Sequence, residues 1–309
     1  MPPALRLIRL PNLLIVALTQ ALLYFGLFLP AFEAYNIDPV LPPLHFTLFV
    51  LVTMVVSAAG YIINDIEDVA IDEQNRPGQV VVGHAFSAKQ AYRWYWALHV
   101  LGMGLALYLA QYVGQLALAA LYPAAALLLH LYSTHLQRWA LVGNVVVALF
   151  CAGVAGIVWF AERAGFAQLT DLAPARAGQV GGIVTWYLVF AFLSTLYREL
   201  VKDIEDQKGD TNGRYRTVPV LWGERTAKAL AAAFGVGLGL FIALMLFSDL
   251  ELFRRQWLYY FGGSLLLPLG WSLYGLFGAS TQAEYHRVSQ AIKLIMLGGL
   301  LLLGLLVLT

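Results

Sequence analysis

Three aspartates at offsets of three and seven residues occur twice in this chain. Asp65, Asp68 and Asp72 lie in Asn64-Asp65-Ile66-Glu67-Asp68-Val69-Ala70-Ile71-Asp72, and Asp203, Asp206 and Asp210 lie in Asp203-Ile204-Glu205-Asp206-Gln207-Lys208-Gly209-Asp210. On a helix these offsets fall on one face, so each set forms a stripe of carboxylates. Like charges at this spacing repel, and a bound cation removes that cost. Hard divalent ions with oxygen ligands, Mg²⁺ above all, suit such a donor set. Of the 18 acidic residues, five fall in window 64–73 and five in window 199–210, a concentration that argues against a randomly solvated face. Two facing stripes could hold roughly two or three Mg²⁺ ions, which together grip a phosphate or diphosphate and stabilise charge developing on its oxygens. Arg76, Arg198, Lys202 and Lys208 are the cations available to the leaving group, the arginines through forked contacts.

The rest of the chain explains what must hold these stripes. Its 309 residues are 60% hydrophobic and only 12% charged, with a mean hydropathy of +0.72, against about a quarter charged in soluble domains. The expected fold class is all-α, a polytopic membrane protein. Segments of about 20 apolar residues mark spans. Nine are expected, at about 11–30, 45–63, 91–110, 115–134, 140–161, 181–200, 226–247, 256–277 and 289–308. All are too long for barrel strands. Lys and Arg crowd the N-terminus and the segments near 64–90, 135–139, 201–225 and 278–288, while only Arg163, Arg176, Arg254 and Arg255 lie on the other side. The basic side is therefore expected in the cytoplasm, with the N-terminus and both stripes. Segments 64–90 and 201–225 are long enough to cap a cavity, and Gly209, Gly213 and Pro219 are expected to break the second. Segment 162–180 has room for a short interfacial helix. The stripes, 138 residues apart, also suggest an internal duplication, although the halves are not otherwise visibly similar.

Other features carry less. The net charge of +1 and the absence of a Lys/Arg-rich stretch give no sign of a nucleic-acid partner. Cys151, alone of its kind, is expected as a small core residue. No cleavable signal is expected, because the first apolar segment runs straight into the body of the protein. The six histidines form no zinc-binding spacing, and no phosphate-binding glycine loop is present.

A diphosphate held at a membrane face, above an apolar cavity between helices, calls for a substrate with a polar head and a long hydrocarbon tail. A polyprenyl diphosphate fits. Loss of diphosphate from an allylic carbon leaves a delocalised cation, and charge stabilisation of the leaving group suffices to drive it. Aromatic faces can stabilise that cation. Tyr24, Phe25, Trp94, Trp96, Tyr132, Trp159 and Tyr197 are candidates, each of which equally suits ordinary packing.

At this point the residues resemble a family. Asn64 to Asp72 is similar to the N-D-x-x-D-x-x-x-D motif of the UbiA superfamily of intramembrane prenyltransferases. Asp206-Gln-Lys-Gly-Asp210, preceded by Asp203, is similar to its second acidic motif, and Thr217-Val218-Pro219-Val220-Leu221-Trp222-Gly223 to the tail that follows it. Arg9-Leu10-Pro11-Asn12 and Asn75-Arg76-Pro77 also resemble the family. The resemblance implies a single domain over 1–309, with about nine helices around a central cavity capped on the cytoplasmic side. It implies Mg²⁺-dependent transfer of a prenyl group from its diphosphate to an acceptor. It places Asn64, Asp65, Asp68 and Asp72 in a first metal–diphosphate motif and Asp203, Asp206 and Asp210 in a second. Asn12, Arg76, Arg198 and Lys202 become substrate contacts. Glu67 and Glu205 point to other helical faces, where they are solvated or paired.

Two departures stand out. Many members carry a tyrosine followed by a lysine after the fourth helix; here Tyr132-Ser133-Thr134-His135-Leu136-Gln137-Arg138 has glutamine near that place, with Arg138 as a substitute contact. The first motif is followed by Val80-Val81-Val82-Gly83-His84 where many members have a second Arg-Pro. With Tyr197 to Asp203, this looks closest to the geranylgeranylglycerol-phosphate geranylgeranyltransferase-like branch, which makes ether lipids by alkylating a glycerol hydroxyl. Prenylation of an aromatic acceptor is the alternative within the family. Outside enzymes, a cation transporter would place its carboxylates near the bilayer midplane instead.

Overall fold

The structure, a computed structural model, describes residues 1–75, 78–247 and 255–308. Among them the regular secondary structure is all helical, with two isolated β-bridges and no strand. Among the described residues seven helices are long and apolar enough to cross a membrane: Leu10–Glu33, Pro43–Glu67, Leu116–Arg138, Val142–Ala161, Pro174–Asn212, Val218–Met245 and Gln282–Leu305. These coincide with seven of the nine expected spans. The other two fall on helices Ala88–Tyr112 and Arg255–Gly278, which lie outside that set. The protein is thus an integral, multi-pass membrane protein.

By Cα proximity the chain forms two compact units. Met1–Ala21 with Asp38–Gln137 make the first; Leu22–Ile37 with the chain from Arg138 onward make the second. Each contains one acidic motif.

In the first unit, helix Pro43–Glu67 packs on Ala88–Tyr112. Leu7, Ala59, Ile62, Ile63, Val81, Val82, Ala91 and Tyr95 form a core cluster at its charged end. The Val80–Val82 departure therefore has a structural use. Val81 and Val82 are buried, and they anchor the loop between the acidic motif and Ser87, whose capping box starts the next helix. Arg6 Nη2 ties the same loop down through the Gln79 carbonyl at 2.8 Å.

In the second unit the 39-residue helix Pro174–Asn212 is the central element, packed against Val142–Ala161, Val218–Phe247 and Gln282–Leu308. Close approach is achieved with glycine: a Cβ at Gly299 would lie 2.0 Å from the Phe190 ring. Residues Arg163–Leu172 form the short helix expected within 162–180. Cys151 is half-buried, not a core residue as expected.

Two expectations about the motif segments are corrected. The long helix does not end near residue 200 but runs through the second stripe to Asn212. Its lysine, glutamate, aspartate and glutamine residues remain compatible with helix once the lipid-facing run is over, and a single glycine at 209 costs only about 1 kcal/mol. Gly209 therefore sits inside the helix, and the break comes at the Gly213 cap and Arg214, whose φ is +59°. The first stripe, by contrast, is not on one helix. Helix Pro43–Glu67 stops at Asp68, with φ −96° and ψ 2°, and a new short helix, Val69–Asn75, carries Asp72 in its first turn.

Candidate functional site

In the first unit the motif is held by side chains from three parts of the sequence. Asn64 Nδ2 donates both to Asp68 Oδ2 and to Gln137 Oε1, the latter at 3.0 Å. Gln137 Nε2 donates in turn to Asp68 Oδ1 at 2.9 Å and to the Ser133 carbonyl at 2.6 Å. Asn64, Asp68 and Gln137 thus close a ring of hydrogen bonds. Gln137, noted above as a departure, lies at the motif itself.

Arg9 completes this network. Its Nη2 donates to Asp65 Oδ1 at 2.6 Å and to Asn64 Oδ1 at 3.5 Å, and its guanidinium lies 5.0 Å from the Tyr61 ring centre. Burial opposes the Arg9 charge most strongly of any one influence, but Asp65, Tyr61 and Asp72 together outweigh it, and the pKa of Arg9 is raised. Arg9 reaches the motif from a left-handed backbone, φ +50°, between two helical segments. Such a conformation is rare for a residue with a Cβ and costs about 1–2 kcal/mol. Asp72 is half-buried and close enough to contribute to the field at Arg9. Tyr132 is half-buried on the same helical stretch as Gln137, and Asn12 is exposed. Arg76 lies outside the described residues.

In the second unit the carboxylates share one helix. Asp203 accepts from Asn144 Nδ2 at 2.9 Å, and its charged neighbours are Asp210, Glu199 and Lys202. Asp206 is half-buried and Asp210 buried. Arg198 donates to Glu199 at 2.7 Å, so its charge already has a counter-ion. Arg138 lies with its guanidinium 5.3 Å from the Tyr215 ring centre. Glu205 is buried and paired with His286 Nδ1 at 2.8 Å, in keeping with the expectation that it faces away from the stripe.

The tail after the second motif has a physical role at each marked position. Thr217 Oγ1 donates to Asp210 Oδ2 at 3.2 Å. The Pro219 carbonyl accepts from Gln207 Nε2 at 3.2 Å. Gly223 takes φ +81° and ψ 159°, a conformation open essentially to glycine, and breaks the helix begun at Val218. Of the aromatic candidates, Tyr24 and Tyr197 are fully buried, and Tyr197 is engaged with Ser272 Oγ at 3.1 Å. Phe25, Trp94, Trp96 and Trp159 are exposed on their helices.

Among the described residues no three acidic, histidine or cysteine side chains surround a common point. The donors are nonetheless all oxygen. Mg²⁺ commonly binds through one or two carboxylates while water and substrate phosphates fill the remaining positions. Each motif offers carboxylates of that kind, so the residues fit this ion.

Residues 22–294 match the UbiA prenyltransferase family. The digeranylgeranylglyceryl phosphate synthase of Methanopyrus kandleri is 31% identical over 194 residues, 63% of this chain and 64% of that protein. The synthase of Methanosarcina mazei is 31% identical over 237 residues, 75% of each chain. A third synthase, from Methanoregula boonei, matches over 60% of its length. The chain thus spans less than two thirds of two of these three relatives. Among solved structures, a digeranylgeranylglyceryl phosphate synthase superposes with TM-score 0.65 at 22% identity, over 99% of this chain and 97% of that one. A homologue from Archaeoglobus fulgidus bound to DMAPP and Mg²⁺ superposes with TM-score 0.54 at 16% identity, over 98% and 99%.

Proposed function

We propose, from the premise that the chain belongs to the UbiA prenyltransferase family, that it transfers a prenyl group from a polyprenyl diphosphate to an acceptor with Mg²⁺ as cofactor. The observation that carries this is the pair of oxygen-donor motifs, each at the end of an apolar helix and each with its carboxylates held by neighbouring side chains. Asn64, Asp65, Asp68 and Asp72 bind metal and diphosphate in the first motif, and Asp203, Asp206 and Asp210 in the second. Mg²⁺ held by these carboxylates would supply positive charge to the diphosphate and so favour its departure. Lys202 and Arg138 add fixed positive charge, and Tyr132 and Arg76 belong to the substrate contacts. No general base is needed to start the reaction, so these side chains act by holding and orienting the diphosphate. The motifs face the cytoplasm, in accord with the Lys and Arg distribution.

The acceptor we infer is geranylgeranylglycerol phosphate, with a geranylgeranyl donor. The likeness of the chain to digeranylgeranylglyceryl phosphate synthases supports this. Arg214 and Arg216, beside the second motif in sequence, suit a phosphorylated polyol. The test is turnover by purified protein with Mg²⁺ and geranylgeranyl diphosphate, offering geranylgeranylglycerol phosphate and an aromatic acid in competition. A prenylated glycerol phosphate is expected, abolished by EDTA and restored by Mg²⁺. A prenylated aromatic product would overturn the acceptor but keep the reaction, and metal-independent transfer would overturn the role of the motifs.

A further inference from the structure

In each unit one motif carboxylate is held by a neutral amide. Asp68 accepts from Gln137 Nε2 and Asp203 from Asn144 Nδ2, both at 2.9 Å. The first contact is further constrained. Gln137 Nε2 is shared with the Ser133 carbonyl at 2.6 Å, one helical turn back, and Gln137 Oε1 accepts from Asn64. Both ends of the amide are therefore fixed, and with them its orientation. Asn144 is 7% exposed at the start of helix Val142–Ala161, so its side chain is buried where it meets Asp203.

The chemistry of a neutral donor differs from that of a cation. An amide N–H orients a carboxylate oxygen without adding charge; both oxygens of Asp68 accept from amides, Oδ1 from Gln137 and Oδ2 from Asn64, and neither amide offsets the negative charge that attracts a metal ion. An ammonium group at the same point would neutralise the carboxylate and compete with the metal. We propose that Gln137 and Asn144 are positioning residues that orient Asp68 and Asp203 for Mg²⁺ without discharging them, and that they thereby set the Mg²⁺ concentration the protein requires. This rests on the function proposed above and adds two residues, neither of which needs to touch the substrate.

The experiment uses the full-length protein in detergent. Mn²⁺ binding in the presence of inorganic pyrophosphate is read by the loss of free-ion EPR signal, and the Mg²⁺ dependence of prenyl transfer is measured alongside. Gln137→Leu and Asn144→Leu are each expected to weaken Mn²⁺ binding and raise the half-saturating Mg²⁺ on the order of tenfold, the scale of one hydrogen bond to a charged group. The maximal rate at saturating Mg²⁺ should stay within about threefold of wild type. Gln137→Lys is expected to raise the Mg²⁺ requirement further than Gln137→Leu. Gln137→Glu keeps the length and the acceptor for Asn64 and serves where the leucine variant does not fold. Its added charge beside Asp68 should tighten Mn²⁺ binding or shift the Mg²⁺ requirement, not leave both as in wild type. Wild-type metal binding and Mg²⁺ dependence in folded Gln137 and Asn144 variants would overturn the proposal, as would a loss of maximal rate with unchanged metal binding. If the wild-type protein itself binds no Mn²⁺ with pyrophosphate, the proposed function falls first and takes this inference with it.

Discussion

Thr217 offers a sharp test of the second motif, because it touches the acid stripe without belonging to it. Its hydroxyl donates to Asp210 Oδ2 at 3.2 Å, and the two residues are 4% and 6% exposed. Valine matches threonine in shape, so Thr217→Val opens no cavity and removes only the donor. A hydrogen bond to a charged group contributes about 1.5–3 kcal/mol. At 3.2 Å the contact is longer than the usual O–H···O range, which puts the loss no higher than the lower figure, about 1.5 kcal/mol, or at most roughly tenfold in an equilibrium or rate constant. If Asp210 serves Mg²⁺ and diphosphate, that factor appears in kcat/KM for the prenyl diphosphate, measured from initial rates at fixed Mg²⁺. Thr217→Ser keeps the hydroxyl and should stay within about threefold of wild type. A Thr217→Val protein with wild-type kcat/KM would refute the link between this hydrogen bond and the chemistry. A large fall in both serine and valine variants would show that the methyl packing matters instead.

Asp68→Ala and Asp206→Ala are each expected to abolish turnover while the melting temperature in detergent stays near that of wild type; near-normal rates in either folded variant would contradict the assignment of its motif. Gly299→Ala drives a methyl against the Phe190 ring, where the ideal Cβ position is 2.0 Å away, and should cost about 1–3 kcal/mol of stability, seen as a lowered melting temperature that Phe190→Leu partly restores. Arg9→Gly should be more stable than Arg9→Ala by about 1 kcal/mol, because both lose the ion pair but only glycine is relaxed at φ +50°; equal melting temperatures would mean the left-handed turn carries no strain.

The positions of the helices were readable because lipid imposes a length and a composition that few other environments require. The aspartates were readable because their spacing repeats. What escaped the sequence was contact between distant segments. Arg9 belongs to a general excess of positive charge at the N-terminus, and only a left-handed turn at its own Cα brings it to Asp65, 56 positions away. Gln137 looked like a missing lysine, since an uncharged side chain announces no partner; the structure places it on Asp68, 69 positions away. Asn144 did carry a signal, a lone amide within an apolar run, where polar groups tend to be retained for a purpose. The break in the first stripe at Asp68 has no proline or glycine to mark it. The tail of the second motif was recognised as a pattern, and its physics came from the structure: a donor for Asp210 and a glycine at positive φ.

The long helix of the second unit has a consequence for how reactants and products divide between phases. Its 39 residues extend about 58 Å at 1.5 Å each, nearly twice the roughly 30 Å of bilayer hydrocarbon. A helix of that length exceeds the thickness of the hydrocarbon, and Asp203, Asp206 and Asp210 occupy its final third. If the function and orientation proposed above hold, ions dissolved in water would reach that end without entering hydrocarbon, and a released pyrophosphate would diffuse away without crossing it. The apolar remainder stays where isoprenoid chains are soluble. On that reading, one helix would span the boundary at which a water-soluble leaving group and a lipid-soluble product must part.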